Sequence, residues 1–181
     1  MKTLTLLRHA KSTWEDPVAR DFDRPLNKRG QRAARVVGRA MRDAGLRFDR
    51  VVASPAVRVT ETVAGVAEGY GTGLKARYDL RIYLAPVAAL IEIVQHTEDD
   101  SDSLLIVGHN PGLETLALAL TRKDGHGLRD EIAIKYPTAA LTEISLPVAR
   151  WADVSEGVGT IARFLRPRDL DPALGPDADS Y

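Results

Sequence analysis

Four side chains of this sequence have the types and positions to hold and transfer a phosphoryl group: Arg8, His9, Arg58 and His109. Such a group carries charge on three equatorial oxygens, so cations and hydrogen-bond donors must surround it. Arginine suits this because its planar fork spans two oxygens at once and stays charged. A neutral imidazole is a good nucleophile, and two neighbouring arginines disfavour its protonated form. Arg58 is expected in the first turn of a helix, reaching back toward free N–H groups that favour an anion. His109 is expected just ahead of a second helix start, where a ring nitrogen could donate. Taken singly these residues say little, since an arginine behind a strand is ordinarily a surface residue. His96, near a helix end, and His126, between two glycines, read as structural or solvated.

What separates the four is the elements that carry them. Leu4 to Leu7 runs into Arg8-His9-Ala10, and Val51-Val52-Ala53 runs into Ser54-Pro55-Ala56-Val57-Arg58. Leu104 to Val107 runs into Gly108-His109-Asn110-Pro111-Gly112. Short apolar runs ended by polar residues read as buried strands of a parallel sheet. Open α/β sheets place their chemistry beyond the carboxyl ends of such strands. The expectation is that three distant segments meet at one rim.

Strand one covers residues 2–7. Lys11 to Leu26, with Trp14, Asp16-Pro17, Asp21, Asp23 and Pro25, reads as a long loop, a length that usually signals function. Asn27 caps a helix whose apolar face includes Ala33, Val37 and Met41, and Gly45 closes it. After strand two (49–53), Ser54-Pro55 reads as a hydroxyl cap followed by proline at the first helical position, opening a helix to about Glu68. Leu74 to Tyr78 is a third strand, 79–85 a connection, and Pro86 to His96 a helix. Glu98 to Asp102 reads as a solvated acidic turn. Strand four (104–107) leads to Asn110 as cap and Pro111 as first residue of another helix. Thr121 to Arg129 reads as a Gly-rich, charged loop. Ala139–Leu146 and Gly159–Leu165 alternate like strands added antiparallel to one edge, with a short strand near Trp151 between them. This order predicts an α/β fold: a three-layer α/β/α sandwich whose sheet is mostly parallel with antiparallel C-terminal edge strands. One domain spans 1–166. The segment 167–181, with three prolines and four aspartates, is expected to be a frayed tail.

Composition bounds the function. The 181 residues fit one domain, and 25 basic residues balance 25 acidic ones, which removes the basic excess that nucleic-acid binding needs. With no cysteine, thiol catalysis, disulfides and cysteine-ligated metals are excluded. The first apolar run is too short for a signal peptide or a membrane span, which makes a cytoplasmic location the default.

The blocks Arg8-His9-Ala10, Ser54-Pro55-Ala56-Val57-Arg58 with Glu61-Thr62, and Gly108-His109-Asn110-Pro111-Gly112 resemble the histidine phosphatase (phosphoglycerate-mutase-like) superfamily. Pro25-Leu26-Asn27-Lys28-Arg29-Gly30 is similar to that family's helix entry. The resemblance spans residues 2 to about 165. It implies that His9 is transiently phosphorylated and that Arg8, Arg58 and His109 hold the phosphoryl group. No metal or other cofactor is implied. The commonest first motif of the family ends in glycine, whereas Ala10 resembles the small phosphohistidine phosphatases. Many members carry a glutamate general acid after the third strand. The nearest candidate is Asp79, which competes with a role as turn cap; Glu15 and Asp21 are more remote.

This departure from the family's acid bears on the substrate. An alcohol leaves poorly unless protonated, help worth about 10²–10⁴-fold, whereas the ring of a phosphohistidine, once protonated, leaves as neutral imidazole and needs less help. About fifty residues separate Arg58 from His109, too few for a lid as well as the expected elements. An open rim admits a phosphorylated protein loop, and a phosphatase, unlike a mutase, needs water to reach its phosphoenzyme. The expected function is a phosphatase acting through a phosphohistidine intermediate on phosphohistidine in a protein partner. The alternatives are a small-molecule phosphate monoesterase or phosphomutase, and a non-catalytic module that binds a phosphorylated partner, against which the intact His9 argues. Lys11, Ser12 and Trp14 either touch substrate or order the loop.

Overall fold

Alternation along the central strands decides which helices cover which face of the sheet. The computed structural model describes residues 1–14, 20–123 and 127–175. In chain order the elements are β1 (Lys2–Arg8), α1 (Lys28–Asp43), β2 (Arg50–Ala53), α2 (Val57–Tyr70), β3 (Ala76–Tyr78) and α3 (Val87–Gln95). They continue with β4 (Ser103–Gly108), α4 (Gly112–Leu120), α5 (Leu128–Ile134), β5 (Leu141–Leu146), β6 (Thr160–Leu165) and α6 (Pro167–Leu170). The strand order is β3-β2-β4-β1-β5-β6. The first four strands in that order pair in parallel, while β5 runs antiparallel to both β1 and β6. Leu4, Leu6, Leu104, Ile106 and Ile144 face one core with Leu90 of α3 and Leu113 and Leu116 of α4. Leu7, Leu105, Val107 and Leu141 face the other with Val37 and Met41 of α1 and Val59 and Val63 of α2. Burial on both faces is why β4 reads as a continuous apolar run and Leu4–Leu7 of β1 as one broken only by the buried Thr5. The α/β sandwich, mostly parallel with antiparallel edge strands, is as expected.

Local differences from the expected elements each have a partner that explains them. Ser54-Pro55 does not open α2; the helix begins at Val57 with Ala56 at its cap, and the Ser54 hydroxyl bonds His109 instead. Asn110 does not cap α4, which begins at Gly112 after a cis Asn110–Pro111 peptide; the Asn110 amide donates to Glu114 and to the Tyr136 carbonyl. The end of the expected 121–129 loop belongs to α5, and His126 lies outside the described residues. Trp151 starts a single 3-10 turn, Trp151–Asp153, rather than a strand, and its buried indole donates to the Ser101 carbonyl at 2.8 Å. The acidic turn is only partly solvated: buried Lys2 reaches Asp102 at 2.9 Å and the Ser101 carbonyl at 2.8 Å. Pro167 does not begin a frayed segment. It occupies the first position of α6, and a 3-10 turn (Pro172–Leu174) follows, with Leu174 buried in the same core as α1. Prolines with their φ already set start these turns, and Arg32 of α1 holds Asp171 at 2.5 Å. Residues 176–181 lie outside the described set. Among the described residues no helix is long and apolar enough to cross a membrane.

Candidate active site

Register brings the three predicted segments to one level. Val107 of β4 lies between Leu7 of β1 and Ala53 of β2, so His9 and His109 leave adjacent strands at the same height, with Ser54 one residue below them at the end of β2. Backbone bonds carry the ladder past the strand ends: His9 N–H donates to the Gly108 carbonyl at 2.9 Å and Ser54 N–H to the Val107 carbonyl at 3.0 Å. The His9 and His109 rings lie side by side, centroids 5.3 Å apart and planes tilted by 57°. Arg58, in the first turn of α2, is 2% exposed and extends its Nη2 to within 3.2 Å of His109 Nδ1. Arg8, at the end of β1, donates through Nη1 to the Tyr136 carbonyl at 2.6 Å. Nε of Arg8 and Nε of Arg58 are buried with no hydrogen-bond partner among the described residues. Buried orphan donors on two cations call for an explanation, and a bound anion supplies one.

Hydrogen bonding fixes both imidazoles. The His9 Nδ1 lies 2.8 Å from the Ala10 carbonyl, which can only accept, so Nδ1 carries the proton and Nε2 the lone pair. Arg58 can only donate, so His109 Nδ1 accepts and its Nε2–H faces the Ser54 hydroxyl at 2.8 Å. Both nitrogens of His109 are therefore engaged, one by Arg58 and the other by Ser54. Burial pushes His9 down to about 4, helped by Arg58, Arg8 and Arg24 against the Ala10 bond. Burial likewise pushes His109 down to about 3, with Arg58 the next cause. Both rings are neutral near pH 7.

Arg24 and Tyr83 join the site with no role expected from the sequence, and Asp21 is expected only as a remote acid candidate. Arg58 grips Asp21 twice, through Nη1 to its carbonyl at 2.6 Å and Nη2 to its carboxylate at 3.0 Å. The same carboxylate accepts from Tyr83 at 2.6 Å, and Tyr83 packs edge-on to His109. Burial pulls the Asp21 carboxyl up, but Tyr83, Arg58 and Arg24 outweigh it and hold it at about 2. Arg24, buried, bonds the other Asp21 oxygen and the Ser12 hydroxyl, with its guanidinium 3.4 Å from the Trp14 ring centre. Ser12 and Trp14 thus order Arg24. Lys11 accepts through its carbonyl from Asn27 N–H at 3.0 Å. A Cβ on Gly30 would come within 2.1 Å of that carbonyl, which explains glycine at the entry of α1. Glu61 accepts from Leu26 N–H, while Thr62 accepts from Ala10 N–H and donates to the Arg58 carbonyl, so this pair clamps the loop and both arginine-bearing segments. A lone Arg24 before Pro25 and a Tyr83 beyond the third strand give no periodic signal by which to find them.

The acid candidates fall out differently. Asp79 caps the 3-10 turn Leu80–Ile82 and is tied to Arg81 at 2.7 Å, a bond that lowers its carboxyl below the usual range. It serves as a turn cap, with its carboxylate taken up by Arg81. Glu15 lies outside the described residues.

Residues 4–81 match the family model of the histidine phosphatase superfamily (branch 1). An uncharacterized Mycobacterium tuberculosis protein, Rv1276c, is 35% identical over 164 residues, covering 90% of this chain and 100% of that one. A Nakamurella multipartitia structure described as a candidate phosphohistidine phosphatase SixA is 28% identical with a TM-score of 0.77, covering 92% of this chain and 96% of that one. A mycobacterial glucosyl-3-phosphoglycerate phosphatase, Rv2419c, shares the fold at 16% identity and a TM-score of 0.63, covering 89% of this chain and 97% of that one. With the three motifs in place at their strand ends, the chain belongs to the histidine phosphatase superfamily, as a phosphatase of its SixA-like branch.

Proposed function

We propose that this phosphatase removes the phosphoryl group from phosphohistidine in a protein partner, with His9 as nucleophile and Arg8, Arg58 and His109 as the phosphoryl-binding set. The observation that carries the reading is a neutral His9, its Nδ1 proton spent on Ala10, together with two candidate acids, Asp21 and Asp79, that are both held ionised. His9 Nε2 attacks phosphorus as the bond from phosphorus to the substrate imidazole breaks. That imidazole leaves neutral, keeping the proton on its other nitrogen, so no enzyme acid is required. Arg8 and Arg58 neutralise the equatorial oxygens. Phospho-His9, still donating from Nδ1 to Ala10, is in turn a good leaving group when water attacks phosphorus and releases inorganic phosphate. An alkyl phosphate would instead need a protonated group, and neither Asp21 nor Asp79 offers one near neutral pH. A chain without cysteine fits a cytoplasmic setting for such a partner.

A panel of phosphorylated proteins and small phosphates tests this. A phosphohistidine protein is expected to turn over faster than any sugar or alkyl phosphate. Faster turnover of an alkyl phosphate, with a dependence on Asp21 or Asp79, would assign the site to small monoesters. Tight phosphate binding with no turnover of any substrate would assign a binding module.

A further inference from the structure

Beside Arg8 a cleft of about 290 Å³ opens between the start of α1, the segment after α5, and α6. Six cations line it, Arg8, Lys11, Arg29, Lys135, Arg166 and Arg168, and no carboxylate does among the described residues. In a chain with 25 acidic and 25 basic residues this is a strong local bias. Ala33, Pro137 and Leu174 give the cleft an apolar floor. The cations are not equally engaged. Arg166 is offset by Glu131 and Asp169, and Arg29 donates to the Gly175 carbonyl. At the rim, exposed Lys135 makes no ion pair among the described residues, and Arg168 reaches Asp169 only at 3.9 Å. Ile134, next to Lys135, is 84% exposed.

We propose that this cleft docks an acidic segment of the phosphorylated partner protein, its carboxylates on Lys135 and Arg168 and an apolar side chain against the floor and Ile134. The inference rests on the phosphohistidine reading and adds how the partner is recognised. Arg8 belongs both to the phosphoryl site and to the cleft, so a chain seated there lies alongside the transferred group. A single phosphate is already matched by the groups around His9. Further positive charge, spread over separate elements and mixed with exposed apolar surface, matches an extended acidic chain. Attraction of this kind speeds encounter and weakens with salt.

The probe is a labelled octapeptide of alternating glutamate and leucine, titrated by anisotropy against the full chain and against the Lys135→Glu, Arg168→Glu double variant. Unchanged circular dichroism would show that the variant is folded. Saturable binding is expected, weakened at least about tenfold in the variant and again by raised salt. Equal binding to both chains would overturn the inference, as would binding of inorganic diphosphate at the cleft with none of the peptide. With a phosphohistidine protein as substrate, KM is expected to rise about tenfold in the variant at constant kcat, p-nitrophenyl phosphate serving as internal reference. Turnover with an unchanged KM sinks the docking inference and leaves the function standing. Peptide binding without phosphohistidine turnover does the reverse.

Discussion

Lowering the pH is the perturbation that reports most about the proposed nucleophile. With His9 at about 4, only about a tenth of the ring is protonated at pH 5, whereas an imidazole at its ordinary 6.5 would be almost wholly protonated. The acid limb of kcat/KM attributable to His9 should therefore centre near pH 4, not near 6.5. The same displacement enters stability. His9 titrates lower in the folded chain than in the unfolded one, so between about 6.5 and 4 the unfolded chain takes up the extra proton. Stability is complete above about pH 6.5 and is lost as pH falls toward 4. From His9 alone the loss is about 3 kcal/mol, because each tenfold difference in proton affinity between the two states is worth about 1.4 kcal/mol. His109, at about 3, adds a loss in the same direction. The assay is an NMR titration of the four histidine rings, assigned with His9→Asn and His109→Asn, alongside urea unfolding at several pH values. Neither the His9 nor the His109 resonance should inflect between pH 8 and 5.5, and His9→Asn should flatten part of the acid loss of stability. An inflection of His9 near 6.5 would refute the reasoning, because burial and three arginines would then not be setting its charge.

Three further outcomes follow from particular contacts. Arg58→Ala should lower kcat/KM by the roughly 2.7–4 kcal/mol typical of losing one oxyanion donor, about 10²–10³-fold, and a loss below tenfold would place Arg58 outside the phosphoryl site. Ser54→Ala strips the partner from a buried imidazole N–H and should cost about 1–3 kcal/mol in urea unfolding, largely recovered by Ser54→Thr; no loss would mean His109 is oriented by other means. Asp79→Asn should leave phosphohistidine turnover within about threefold, far from the 10²–10⁴ that a general acid supplies, and a loss of that larger size would restore Asp79 as the acid.

The strands and motifs were legible because two-sided burial writes itself as short, largely apolar runs, and because His9, Arg58 and His109 each follow such a run. The register that levels Leu7, Ala53 and Val107 then needs only the ordinary parallel ladder. The polar residues around them were not legible. Ser54 carries the local signature of a helix cap, yet its hydroxyl serves a histidine 55 positions away. Asn110 is drawn off by Glu114 and the Tyr136 carbonyl in the same manner. Asp21 and Tyr83 meet at Arg58 from 62 positions apart, a contact that no local spacing encodes. The prolines after Pro167 misled for a related reason: they suggest a loose tail, but Pro167 and Pro172 each begin a short turn, and together these pack Leu174 onto α1.

The proposed mechanism rests on a phosphorus–nitrogen bond formed at one ring. Mixing the enzyme with a phosphohistidine protein, quenching without acid and recording phosphorus NMR under alkaline conditions should show a phosphoramidate on the chain. That signal and turnover should both vanish in His9→Ala. Sustained turnover in His9→Ala, or a phosphoramidate that maps to His109, would contradict it.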